Sequence, residues 1–97
     1  MYKLSRLAAK DFTAIYTYSL QNFGAAQADA YTEELERTFK LLFSSPLMGV
    51  ACPEVADEVR RFEHHKHSVF YRRRPTDIFI IRILHQQMDT KGHRLEL

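Results

Sequence analysis

Apolar and polar positions change their period twice along these 97 residues. Tyr2-Lys3-Leu4 alternates, as a short strand does, and Ser5 stands where a helix N-cap is wanted. Ala8, Phe12, Ile15, Tyr16, Ser19 and Phe23 then recur at spacings of three and four. That spacing predicts one face of a helix over residues 6–23. Asn22-Phe23-Gly24 ends it, with Gly24 suited to a left-handed C′ position. Ala28, Tyr31, Leu35, Phe39 and Leu42 repeat the pattern at once, so a second helix follows and the two form an antiparallel hairpin. It stops at Ser44-Ser45-Pro46, because a residue before proline avoids the helical region. Residues 44–57, punctuated by Pro46, Gly49 and Pro53, read as a loop. From Glu58 the period becomes two. Arg60-Arg61-Phe62 and Ser68-Val69-Phe70-Tyr71 flank the polar turn His64-His65-Lys66-His67, and Arg74-Pro75-Thr76-Asp77 is a second turn. Ile78 to Leu84, rich in β-branched residues, is the strongest strand, and Asp89–His93 reads as a loop or frayed end.

The order predicts an α+β domain spanning residues 1–97, β-α-α-β-β-β. A helical hairpin packs on one face of a small, mostly antiparallel sheet, and the other face is left uncovered for a partner. Centring the turns sets Phe62 opposite Val69, Arg60 opposite Tyr71, Tyr71 opposite Ile80, Arg73 opposite Ile78 and Val69 opposite Arg82. Strand side chains alternate in direction. Phe70, Phe79, Ile81 and Ile83 are thereby expected against the helices, and Arg60, Tyr71, Arg73, Ile80 and Arg82 on the open face. The open set is basic and aromatic, so Arg60, Tyr71, Arg73 and Arg82 are the expected partner-binding residues.

Charge sharpens this picture. The net charge of +2 divides into −2 over residues 1–57 and +4 over residues 58–97. Arg60, Arg61, Arg72, Arg73, Arg74 and Arg82 lie close together in sequence, and planar guanidinium groups suit carboxylate or phosphate partners. A 45% hydrophobic, 27% charged composition belongs to a globular chain, not to a disordered one. No apolar run approaches the roughly 20 residues of a membrane span. The N-terminus lacks an apolar signal core, and the lone Cys52 fits a reducing cytoplasm.

Candidate chemistry is sparse. His64, His65 and His67 sit at a predicted hairpin tip, where neighbouring strand residues point to opposite faces, so no metal site is expected. His85 closes the strongest strand and is the one weak candidate for a general acid or base. Arg82 lies three residues away, and on a regular strand the two face opposite sides, so only a bulge would let them share a site. Glu58 and Glu63 have no specific spacing, and Cys52 reads as a loop thiol. Phosphate-binding, dinucleotide-binding and nucleophile-elbow motifs are absent from the sequence, and no cofactor is expected.

Taken in order, Tyr2-Lys3-Leu4-Ser5 with Ala8 and Asp11, then Ile15, Tyr18, Phe23-Gly24, Gln27-Ala28 and Tyr31, then Leu35, Phe39, Pro46 and Gly49 form one half of a pattern. His67-Ser68-Val69-Phe70-Tyr71-Arg72, Ile80-Ile81-Arg82-Ile83-Leu84-His85 and Met88-Asp89 complete it. The sequence resembles the ParE toxins of bacterial type II toxin–antitoxin modules, within the RelE/ParE superfamily. It departs at Val50, where relatives often carry Arg. The resemblance implies plasmid stabilisation, a cognate antitoxin as partner and DNA gyrase as target, with toxicity through binding. Direct nucleic-acid binding is not expected. RelE-like relatives are instead ribosome-dependent mRNA endoribonucleases. Such relatives often keep a Tyr close to the C-terminus, whereas no Tyr follows Tyr71 here. A weakly toxic module kept for antitoxin pairing is a third reading the residues leave open.

Overall fold

The computed structural model describes residues 1–86, so the expected loop at Asp89–His93 lies outside the described residues. Strand β1 (Tyr2–Leu4) leads into helix α1 (Arg6–Phe23) and helix α2 (Ala25–Ser44). Strands β2 (Val50–Ala51), β3 (Arg60–His64), β4 (His67–Arg73) and β5 (Ile78–His85) follow. The five strands form one sheet in the order β1-β5-β4-β3-β2. Only β1 with β5 is parallel; the other pairs are antiparallel. The α+β architecture is therefore the expected one with an added strand, β2. Two residues are too few to display an alternation, and so this strand reads as loop.

Local chemistry accounts for the helix ends. The Ser5 side chain accepts from the Ala8 N–H at 2.9 Å, satisfying a donor that helix geometry leaves orphaned. Gly24 ends α1 and starts α2 with φ 92° and ψ 169°. A Cβ there would meet nothing within 4 Å, so the backbone conformation, essentially glycine-only, sets the requirement. Its conformation differs from the left-handed one expected, which lets one residue serve both helices.

Helix phase follows the sequence pattern. Ala8 and Ile15 of α1 and Ala28, Leu35, Phe39 and Leu42 of α2 are buried. Phe39 packs its ring 5.1 Å from Tyr2 and 6.4 Å from Phe12. Tyr16 departs from the pattern, bonding Asp29 across the hairpin at 2.8 Å instead of meeting the sheet.

The pairing register is as expected between β3 and β4, and between β4 and the first half of β5: Arg60 with Tyr71, Phe62 with Val69, Tyr71 with Ile80, Arg73 with Ile78. The faces, however, are reversed along β4 and along β5 up to Ile81, whereas Ile83 meets the helices as expected. Val69, Tyr71, Ile78, Ile80 and Ile83 join the helical hairpin in the main core. Phe70, Ile81 and Leu84, with Phe79 at the edge, form a second core against Cys52, Val55, Ala56 and Val59. Residues 52–59 thus cover part of the face expected to be open. The 52–59 segment folds back on itself, with Cys52 N–H bonded to Val59 O at 2.8 Å and Val55 N–H to Cys52 O at 3.0 Å. Its four apolar residues carry no regular period, which is why they read only as loop.

Tyr71 shows why its face is the buried one. Its ring is fully buried, and its hydroxyl donates to Pro46 O at 2.8 Å and accepts from Gly49 N–H at 2.9 Å. A Cβ on Gly49 would sit 2.6 Å from that hydroxyl, so only glycine fits. Phe39→Ala should destabilise the fold by roughly 3–5 kcal/mol, the usual cost of emptying a buried aromatic site. Chemical denaturation measures this, and an unchanged midpoint would contradict the packing described.

Candidate functional site

Strand β1 covers β5 only from Ile78 to Ile80. Beyond that point β5 has no strand neighbour on this edge among the described residues, and its backbone groups need other partners. Two α1-side residues supply them. Ser5 N–H bonds Ile80 O at 2.9 Å, and the Ser5 hydroxyl donates to Ile81 O at 2.7 Å. The Asp11 carboxylate accepts from Ile83 N–H at 3.0 Å and from Arg82 Nε and Nη2 at 2.8 and 3.1 Å. Side-chain exposure of only 19% for Arg82 and 15% for Asp11 makes this a shielded pair.

Between Ser5 and Asp11 the strand bulges. Tyr71 pairs with Ile80 and Phe70 with Arg82, leaving Ile81 as the extra residue. Val69 consequently faces Ile83, not Arg82 as the regular register predicts. The bulge also removes the obstacle to a shared Arg82–His85 site. Both line a cavity of about 800 Å³ between the hairpin and the sheet, with Asp11, Tyr31, His67 and Glu34.

Three of the side chains lining this cavity cluster together. Tyr31 Oη is 2.6 Å from His67 Nδ1, and the His67 and His85 rings meet edge-on at 5.5 Å. Burial, followed by the neighbouring His85 and His64, pushes His67 down to about 4. Burial and then Glu34 push Tyr31 up to about 12. At neutral pH both are uncharged, which suits a packed polar contact. Burial, then His65, also lowers His64.

The four residues expected to share one binding surface are dispersed. Arg60 Nη1 donates to Gly49 O at 2.7 Å and, with Tyr71, fastens residues 46–49 to the sheet. Tyr71 is wholly buried, so its expected place on an open face is corrected; the phenol has its partners inside. Arg82, expected on that face too, is engaged by Asp11. Arg73 alone of the four is exposed. A different basic surface forms nearby. Arg74 lies 4.3 Å and Arg72 5.6 Å from the Phe79 ring centroid, and Arg74 makes two bonds to Asp77 at 2.7 and 2.6 Å. Arg74 also holds the buried Asp77 carboxyl below its ordinary value. Asp11 enters the sequence pattern only through the family resemblance, with no role assigned to it. It falls between Ala8 and Ile15 on the apolar stripe of α1, and a carboxylate in such a stripe signals a shielded cation.

The depressed His67 fixes a pH dependence. The unfolded chain protonates this histidine near 6.5, the folded chain only near 4. Between those values the unfolded state binds more protons. The contribution is complete above pH 6.5 and is lost as pH falls toward 4. Thermal unfolding across this window should show falling stability, and His67→Asn should flatten the upper part of the slope. An unaltered slope would contradict the burial described.

Comparison with known proteins gives a consistent result. The family model for the ParE toxin of the type II toxin–antitoxin system parDE matches residues 2–90. Toxin ParE1 of Caulobacter vibrioides is 39% identical over 92 residues, 95% of either chain. Toxin ParE1 of Mycobacterium tuberculosis is 32% identical over 89 residues, 91% of either chain. Among solved structures, a chain of the chromosomal ParDE TA system from P. aeruginosa superposes with a TM-score of 0.72 at 27% identity, covering 87% of this chain and 92% of that one. With matches along nearly its whole length and a superposable fold, this chain belongs to the ParE toxin family of type II toxin–antitoxin systems.

Proposed function

We propose that this ParE-family chain acts in the cytoplasm by binding and inhibiting DNA gyrase, breaking no bond with its own side chains, and that a cognate antitoxin neutralises it. The observation carrying this reading is the division of labour among the arginines. Arg82 commits its charge to Asp11, and Arg60 its nitrogen to Gly49. Arg72 and Arg73, by contrast, are exposed at the end of β4, where Arg72 and Arg74 lie over the Phe79 ring. Exposed guanidinium groups next to an aromatic ring suit recognition of an acidic protein surface, where charge complementarity speeds association and fixes register. The positive C-terminal half of the chain suits an acidic antitoxin segment for the same reason.

One observation favours a second reading, an mRNA endoribonuclease. Arg82 and His85 line the same cavity as Tyr31 and His67. RNA cleavage calls for proton-transfer groups beside a cation, and these four residue types supply such a set.

Purified chain incubated with gyrase and relaxed plasmid, and separately with programmed ribosomes, distinguishes the readings. Blocked supercoiling or gyrase-dependent linear DNA is expected. The double change Arg72→Ala and Arg73→Ala should raise the inhibitory concentration by roughly 10- to 100-fold, as losing charge-assisted contacts does, at an unchanged melting temperature. Cleaved mRNA with gyrase untouched would overturn the proposal in favour of the nuclease. Neither effect, with antitoxin binding intact, would leave a weakly toxic pairing module.

A further inference from the structure

His64 and His65 are adjacent in sequence, and on a regular strand their rings would point to opposite faces. The backbone prevents this. His65 has φ 52°, a left-handed conformation uncommon outside glycine. Both rings consequently stand beside Tyr31 of α2, with centroids 5.5 and 5.9 Å from it and 4.7 Å from one another. Glu34, one turn along α2 from Tyr31, brings Oε2 to 3.4 Å from His65 Nε2. One nitrogen of each histidine and one Glu34 oxygen lie within 4.8 Å of one another.

Two contacts place His64. Thr38 Oγ1 lies 3.2 Å from Glu34 O and 3.0 Å from His64 Nδ1. In the tautomer where the hydroxyl donates to Glu34 O and Nδ1–H donates to the hydroxyl, the lone pair is on Nε2. That Nε2 is buried with no hydrogen-bond partner among the described residues. A buried acceptor without a partner is costly and calls for an explanation. A metal-ligating histidine typically has this arrangement: one nitrogen donates to a neighbouring oxygen, the other offers its lone pair.

We propose that Glu34, His64 and His65 form a site for a borderline-soft divalent transition ion, of which Zn²⁺ is the natural choice, clamping α2 to the β3–β4 hairpin. Two imidazoles and a carboxylate are a recurrent zinc ligand set with a fourth position open. The half-exposed side chains of Glu34 and His65 leave that position to water. With the ligand atoms already within 4.8 Å of one another, binding asks for rotation of the more exposed Glu34 and His65 side chains toward the half-buried His64. Thr38 is a positioning residue, acting through His64 Nδ1.

The test uses tag-free full-length chain stripped with a chelator. Calorimetric titration with ZnCl₂ at pH 7 should give one ion per chain, and CoCl₂ should give the visible absorption of a low-coordinate site. Glu34→Gln, on the surface of α2, should weaken Zn²⁺ binding at least about tenfold without altering the circular dichroism spectrum, and Thr38→Val about 10- to 100-fold with the ligands unchanged. His85→Gln should bind as the parent does. Absence of Zn²⁺ binding would overturn the proposal. So would binding undiminished in both Glu34→Gln and His65→Ala, which would place the ion elsewhere on the chain.

Discussion

The carboxylate of Asp11 holds the exposed edge of β5, and much of the molecule depends on that contact. It accepts from the backbone of Ile83 and from two guanidinium nitrogens of Arg82. The need for it begins with length. A three-residue β1 pairs only with the start of β5, so among the described residues the rest of that edge draws its partners from the α1 side. Ser5 does this at Ile80 and Ile81, and Asp11 at Ile83. Among the described residues, a helix cap and a shielded ion pair thereby take the place of a neighbouring strand.

The bulge between these two anchors changes the phase of β5. Ile78 and Ile80 face the helices, so unbroken alternation would next send Arg82 into the core and Ile83 and His85 away from it. The extra residue, Ile81, reverses this. Ile83 enters the main core, Ile81 and Leu84 join the second, and Arg82 turns to Asp11 at the edge. His85 arrives beside His67 and Tyr31, at one cavity with Arg82. Fold and candidate site thus share one local irregularity, as β-bulges near functional sites often do.

Much of the fold is legible in the sequence because two signals are purely local. The spacing of Ala28, Leu35, Phe39 and Leu42 specifies the inner face of α2, and turn chemistry specifies the pairing of Arg60 with Tyr71 and of Arg73 with Ile78. What is not legible depends on contacts distant in sequence. Which sheet face meets the helices turns on Tyr71, whose hydroxyl looks like a surface group until Pro46 and Gly49 receive it. Cover for the other face comes from Cys52, Val55, Ala56 and Val59, which share no period. The shared side of His64 and His65 follows from one left-handed residue that no propensity foretells. A bulge, finally, is a single insertion that leaves the hydrophobic character of Ile80-Ile81-Arg82-Ile83 unchanged.

These dependences make the Asp11–Arg82 coupling the most direct quantity to measure. A double-mutant cycle of Asp11→Ala and Arg82→Ala, read by equilibrium denaturation, isolates it. Asp11→Ala should cost more than Arg82→Ala, because it also strands the Ile83 N–H. The two changes together should cost less than their sum, with a coupling of roughly 1–3 kcal/mol, as expected for a shielded, two-bond ion pair. Costs that add to within about 0.5 kcal/mol would contradict the account, because independent residues could not be what holds the bulge.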